Sequence, residues 1–167
     1  MPTTKKTLLW LEDVPKTVEE LIYFAEEDAY FSVKLVSQLH DFADILEDKS
    51  YNVKGIVLDI MLYRAYDLSA LNIEGVDTDM GYEAGWRVLE HYLRAPNSTF
   101  KNIPVLIFSA RSKKKEDIEL LRHLNKQAGA PIEFIGKRES SDPDAENWNQ
   151  KFKDWIKKVD GGEYETN

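Results

Sequence analysis

The sequence has no cysteine, which removes disulfides, thiolate metal sites and cysteine nucleophiles from consideration. Histidine is scarce too, with three scattered residues, His40, His91 and His123. No long uninterrupted apolar run is present, so no membrane span is expected. Met1 to Lys6 is polar and the apolar stretch Leu8 to Leu11 is too short for a signal-peptide core, so no export signal is expected and the expected location is cytoplasmic. Positive charge is in deficit. Lysine and arginine total 22 against 30 acidic residues, a net charge of −8, and a polyanion would be repelled by such a surface. No direct nucleic-acid partner is expected. The one dense basic cluster, Arg111 with Lys113, Lys114 and Lys115, reads as a solvated helix start.

What is present fits one globular domain. The 167 residues are 43% apolar and 31% charged, a balance that argues against disorder. Four apolar runs recur, Thr7 to Leu11, Val53 to Ile60, Pro104 to Phe108 and Ile132 to Ile135. Near-continuous apolar character is what a strand covered on both faces needs, and it points to a parallel sheet. Tyr30 to Val36 alternates instead, as at a half-exposed edge. Helical periods fill the intervals: Pro15 to Glu27, His40 to Glu47, Tyr82 to Arg94, Glu116 to Gln127 and Asp144 to Val159. The aromatic stripe of the last, with Trp148, Phe152 and Trp155, reads as core. Five alternating strand and helix units imply a doubly wound α/β domain over residues 1–160, followed by a flexible tail at 161–167.

In open parallel sheets the ligand site lies beyond the carboxyl ends of the strands. Here the residues that follow the apolar runs are Glu12 and Asp13, then Asp59, then Ser109 and Ala110, then Lys137. Three acids, a hydroxyl and a lysine therefore converge. Each carboxylate pair at ~4 Å costs about 4 kcal/mol at an effective dielectric of ~20. A cation must offset this, and a hard divalent ion with few protein ligands and several waters has the habit of Mg²⁺. Together with a fixed lysine, such a set is complementary to a transferring phosphoryl group.

The ordered motifs LLWLED (8–13), VLDIM (57–61), VLIFSA (105–110) and AGAPIEFIGK (128–137), with the Gly81 region opening the third helix, resemble the receiver domain of two-component response regulators. The resemblance spans roughly residues 5–159. It implies a flavodoxin-like fold with five parallel strands in the order 2-1-3-4-5 and five helices. By the same resemblance Asp59 would accept the phosphoryl group. Glu12 and Asp13 would hold Mg²⁺ with Asp59, and Met61 would lend its backbone carbonyl. Ser109 would be the switch hydroxyl, Lys137 the phosphoryl-pairing lysine and Phe134 the aromatic switch, with Ala110 leaving room beside the site. The implied partners are a histidine kinase or phosphotransfer protein upstream and a protein downstream, docking on the fourth helix, fifth strand and fifth helix. A homodimer is compatible with it, and such a chain catalyses only its own phosphorylation and dephosphorylation.

The chain departs from the family at Arg138 and Tyr63, where proline is usual, and in the connection 62–80, longer by about fourteen residues. In that connection Leu62, Tyr63, Tyr66, Leu68, Leu71 and Ile73 are expected to pack locally, making a lid or partner-specific collar. Asp79 is expected to cap the third helix, with a second metal site at Asp77 and Asp79 as the minor alternative. The residues also admit a phosphorylation-independent pseudo-receiver and, less readily, an aspartate-nucleophile phosphatase, which would need an acid where Met61 stands. Trp10, on the strand leading to the acid pair, is the expected fluorescence reporter.

Overall fold

A computed structural model describes residues 4–14, 18–137 and 147–164. The strands are β1 (Lys6–Leu11), β2 (Ser32–Val36), β3 (Asn52–Leu58), β4 (Val105–Ser109) and β5 (Ile132–Gly136). They form one parallel sheet in the order β2-β1-β3-β4-β5. Between and after them run α1 (Glu19–Glu27), α2 (Leu39–Glu47), α3 (Ala84–Val88), α4 (Lys115–Asn125) and α5 (Trp148–Asp160). The expected starts of the first and last helices, at Pro15 and Asp144, and Arg138 lie outside the described residues.

The apolar runs are explained by what covers them. Side chains alternate across a strand, so Leu9, Leu11, Ile56, Leu58, Val105 and Ile107 face one layer, containing α2, α3 and α4. Leu8, Trp10, Val57, Leu106 and Phe108 face the other, with α1 and α5. The stripe on α5 packs there as core, with Phe152 and Trp155 buried and Trp10 stacked on Phe152 at 5.1 Å between ring centroids. The edge strand β2 is half-buried throughout.

The third helix departs most from its sequence period. Its α-helical part covers only Ala84–Val88, and Leu89–Leu93 is a π-helical turn. The cause is Arg94, whose backbone N–H donates to Leu89 O at 2.9 Å. Its buried guanidinium donates to Leu93 O, Phe100 O, Ile103 O and Ala130 O at 2.7–3.2 Å. Widening the last turn aims the arginine at carbonyls of two loops, which removes their need for water. At its other end the helix starts late. Gly85 N donates to Ile60 O at 2.8 Å, and a Cβ on Gly85 would lie 2.0 Å from Asp59 O, so only glycine lets this helix press against the chain leaving β3.

Residues 62–80 form a closed loop. Leu62 N donates to Gly81 O at 3.0 Å and the Thr78 hydroxyl bonds Ala65 O, drawing the two ends together. Leu62, Leu68 and Leu71 are buried, with a short 3-10 turn at Ser69–Leu71. Tyr63 and Tyr66 do not join that packing, being 74% and 56% exposed. The three leucines join the core cluster that includes Leu39, Phe42 and Leu46 of α2. In the segment expected to fray, the Tyr164 hydroxyl donates to Glu133 Oε1 at 3.0 Å.

The Arg94 guanidinium is held by backbone carbonyls, and burial lowers its pKa to about 10, still charged at neutral pH. Replacing it with leucine would leave four carbonyls short of a donor. We expect Arg94→Leu to cost about 3 kcal/mol or more in urea denaturation. A loss below about 1 kcal/mol would show that water replaces the guanidinium.

Candidate functional site

At the carboxyl edge of the sheet, β1 and β3 are neighbours, so Glu12, Asp13 and Asp59 meet. One carboxylate oxygen from each lies within 4.8 Å of the others, and this is the acid cluster of metal-binding size among the described residues. Asp59 follows β3 directly, because the strand ends at Leu58, two residues short of the expected Ile60. Its N–H donates to Leu11 O at 3.0 Å, and its Oδ1 accepts from Ile60 N at 2.7 Å. Glu12 is 1% exposed; its Oε1 accepts from Val14 N at 3.2 Å and its Oε2 from Lys137 Nζ at 2.8 Å. Asp13 is less buried, and its Oδ2 accepts from Tyr63 N at 2.7 Å, tying the long loop to the cluster.

The other side of the site comes from β4 and β5. Lys137 N donates to Ser109 O at 2.7 Å, and Lys137 Nζ stands 5.1 Å from the Phe108 ring centroid while it pairs with Glu12. Ser109 is buried, and its Oγ accepts from Arg111 N at 3.3 Å. These groups share a cleft of about 500 Å³ with Met61 and Ala110. Phe134 does not line it. It sits on β5 with its ring stacked on Trp86, centroids 6.2 Å apart and planes 8° from parallel. Trp86 is therefore the tryptophan in contact with the expected aromatic switch, and Trp10, on the α1/α5 side of the sheet, is not.

Electrostatics explain Glu12. Burial, and next the charge of Asp59, push its pKa up to about 7 against the opposing pull of Lys137. One lysine does not balance three carboxylates, and the donor set is all oxygen. It fits a hard divalent cation, with Glu12, Asp13 and Asp59 as its holders.

Several residues take other places than their sequence context suggests. Arg111 is not a solvated helix-start charge. Its guanidinium grips Glu83 through both carboxylate oxygens and meets Asp117 Oδ2 at 3.0 Å, with Arg111 and Glu83 each only 15% exposed. Lys114 Nζ reaches Glu83 at 3.3 Å. The position of Arg111, two residues past a strand-end serine, was the available signal. Asp79 does not cap the third helix. It is exposed in a left-handed conformation, and the turn is held by Thr78, whose backbone O accepts from Glu83 N at 2.9 Å and whose Oγ1 accepts from Gly81 N at 3.1 Å. Asp77 Oδ1 accepts from Asp79 N at 2.8 Å, and the two are not in the metal-type cluster found among the described residues.

No protein-family model and no curated protein matches the sequence. Solved structures do match in shape. The receiver domain of a sensor histidine kinase from Pseudomonas aeruginosa PAO1, with a magnesium ion coordinated in its active-site cleft, aligns with a TM-score of 0.51 at 14% identity, over 94% of this chain and 98% of that one. The N-terminal domain of a response regulator receiver protein from Methanoculleus marisnigri JR1 aligns at 0.52 and 18% identity, over 92% and 94%. The chain thus has the flavodoxin-like receiver fold.

A carboxyl raised from 4.5 to about 7 makes the metal-free folded protein bind a proton that the unfolded chain has released. The resulting stability is complete below pH ~4.5 and is lost as pH rises through ~7, a loss on the order of 3 kcal/mol. Denaturation in a chelator at pH 5 and pH 8 should show this fall, and Glu12→Gln should flatten it. Equal slopes in parent and variant would place the shift elsewhere.

Proposed function

We propose that this chain is a response-regulator receiver whose Asp59 accepts a phosphoryl group, in the presence of Mg²⁺, from a histidine kinase or phosphotransfer protein. The observation that carries this reading is the position of Asp59. It stands at the end of the central strand, with Glu12 and Asp13 within 4.8 Å and Lys137 held at Glu12 from the far side of the sheet.

The chemistry follows from these groups. Asp59 is 8% exposed and its Oδ1 accepts from Ile60 N, which positions the carboxylate for transfer. Glu12, Asp13 and Asp59 would hold the cation, with the Met61 carbonyl as a fourth protein donor; bound Mg²⁺ neutralises charge on the transferring oxygens. Lys137 pairs with Glu12 and stands beside the Phe108 face, and would turn to a new anion at Asp59. Ser109 offers a hydroxyl on the adjacent strand end. Its movement toward a phosphoryl oxygen, followed by Phe134, is the reading's switch step. Output then passes by protein contact through α4, β5 and α5, and the net charge of −8 suits protein partners better than nucleic acid.

Incubation with Mg²⁺ and acetyl phosphate should add about 80 Da, the mass of a phosphoryl group replacing a proton. Asp59→Asn should abolish the gain, and Asp13→Ala should weaken Mg²⁺ dependence. In the parent, beryllofluoride with Mg²⁺ should shift the emission of Trp86 through its contact with Phe134, a change lost in Phe134→Leu. Labelling that persists in Asp59→Asn would sink this reading, and a parent indifferent to Mg²⁺ and phosphodonor would favour a phosphorylation-independent module.

A further inference from the structure

Resting on the reading of Asp59 as a phosphoryl acceptor and of Phe134 as the ring that follows it, we propose that Lys113 is a positioning residue. Its ammonium, set over the Phe134 ring, holds that ring in the resting arrangement and so limits how readily the site takes a phosphoryl group.

Ion pairs account for only part of the basic cluster at 111–115. Arg111 grips Glu83 and Asp117, and Lys114 reaches Glu83. Lys113 stands between them and has no carboxylate within ion-pair distance among the described residues; its Nζ lies over the Phe134 ring, 5.1 Å from the centroid. The backbone on either side fixes where it can reach. Arg111 N donates to Ser109 Oγ at 3.3 Å, and Lys114 N donates to Oδ2 of the buried Asp117 at 2.8 Å. Lys113 is thus carried by a loop tied down two residues before it and one residue after it.

Phe134 is placed outside the acceptor cleft. Its ring lies 8° from parallel with Trp86 at 6.2 Å between centroids, and it borders a cavity of about 180 Å³ together with Ser112, Lys113 and Trp148. The cleft that holds Glu12, Asp59 and Lys137 is lined without it. On the reading above, the ring turns inward behind Ser109 when the site is occupied. That turn takes it off the Lys113 ammonium, so the contact belongs to the resting arrangement alone. A cation over an aromatic face is attracted by the ring quadrupole. An interaction made in only one of two arrangements lowers the affinity of any ligand that needs the other.

Charge by itself would act in the opposite direction. A lysine near an anion site attracts the anion, so removing it would weaken phosphoryl-type binding. Removing a clamp strengthens that binding. The sign of the effect therefore separates the two roles.

The test is a beryllofluoride titration of the full chain with saturating Mg²⁺, in which bound fluoride is read by fluorine NMR. Lys113 is exposed, so its substitution removes no buried group. Lys113→Met keeps the apolar stem and should bind beryllofluoride about threefold more tightly than the parent, the scale of one exposed cation–π contact. Lys113→Arg keeps a cation for the ring and should return to the parent affinity. In Phe134→Leu there is no ring to hold, so adding Lys113→Met should bring no tightening. In the metal-free parent the Lys113 ε-methylene protons should carry an upfield ring-current shift that Phe134→Leu abolishes. Unchanged or weaker binding in Lys113→Met, or equal tightening with and without the Phe134 ring, would overturn the clamp and leave the acceptor reading in place. A parent that neither binds beryllofluoride nor gains mass from acetyl phosphate would overturn the acceptor reading itself.

Discussion

The mutual repulsion of Glu12, Asp13 and Asp59 is the constraint on which the rest of the site depends. Three carboxylate oxygens within 4.8 Å would separate if attached to loops free to move, since each close pair costs several kcal/mol. They are held because β1 and β3 are adjacent central strands with apolar side chains on both faces, and because backbone N–H groups fix the turns that follow. Glu12 N donates to Val36 O and Asp59 N to Leu11 O, both at 3.0 Å. Core packing thus opposes charge repulsion directly. Lys137, arriving from the edge strand β5, offsets part of it by reaching Glu12 across the ends of β3 and β4.

This division explains what could be read from the sequence. Strands covered on both faces must be apolar throughout, so β1, β4 and the second half of β3 were visible as runs, while β5, expected as a buried run, is an edge strand with Glu133 and Phe134 only half-buried. Boundaries set by local hydrogen bonding were less visible. The third helix keeps an apolar period through Arg94, yet the α-helix stops at Val88 because Arg94 seeks carbonyls in loops up to 36 residues away. Asp79 looked like a cap because its type suits one, while Thr78, buried at the turn, supplied the hydroxyl instead. Side-chain type signals propensity, but the position of the turn decides which residue uses it.

Charge partners were the least legible. Arg111 stands in a basic cluster that looks like solvated surface, yet its partner Glu83 is 28 residues away in sequence and its second partner, Asp117, lies in the first turn of α4. Only folding brings them together. Asp117 also accepts from Lys114 N at 2.8 Å, so the same carboxylate fixes the start of α4 and orients Arg111. With both ion partners shielded from solvent, this network is screened less than a surface pair and holds its geometry better.

That network gives the site a route outward. Ser109 Oγ accepts from Arg111 N, Arg111 grips Glu83 just ahead of α3, and Gly85 in α3 presses on the backbone of Asp59. The next residue, Trp86, carries the ring on which Phe134 stacks. If Ser109 moves toward Asp59 as proposed, it would pull on the hold of Arg111 on Glu83. The same glycine contact that places Asp59 also sets how far the helix can follow, since the backbone at Asp59 and Ile60 leaves no space for it to advance.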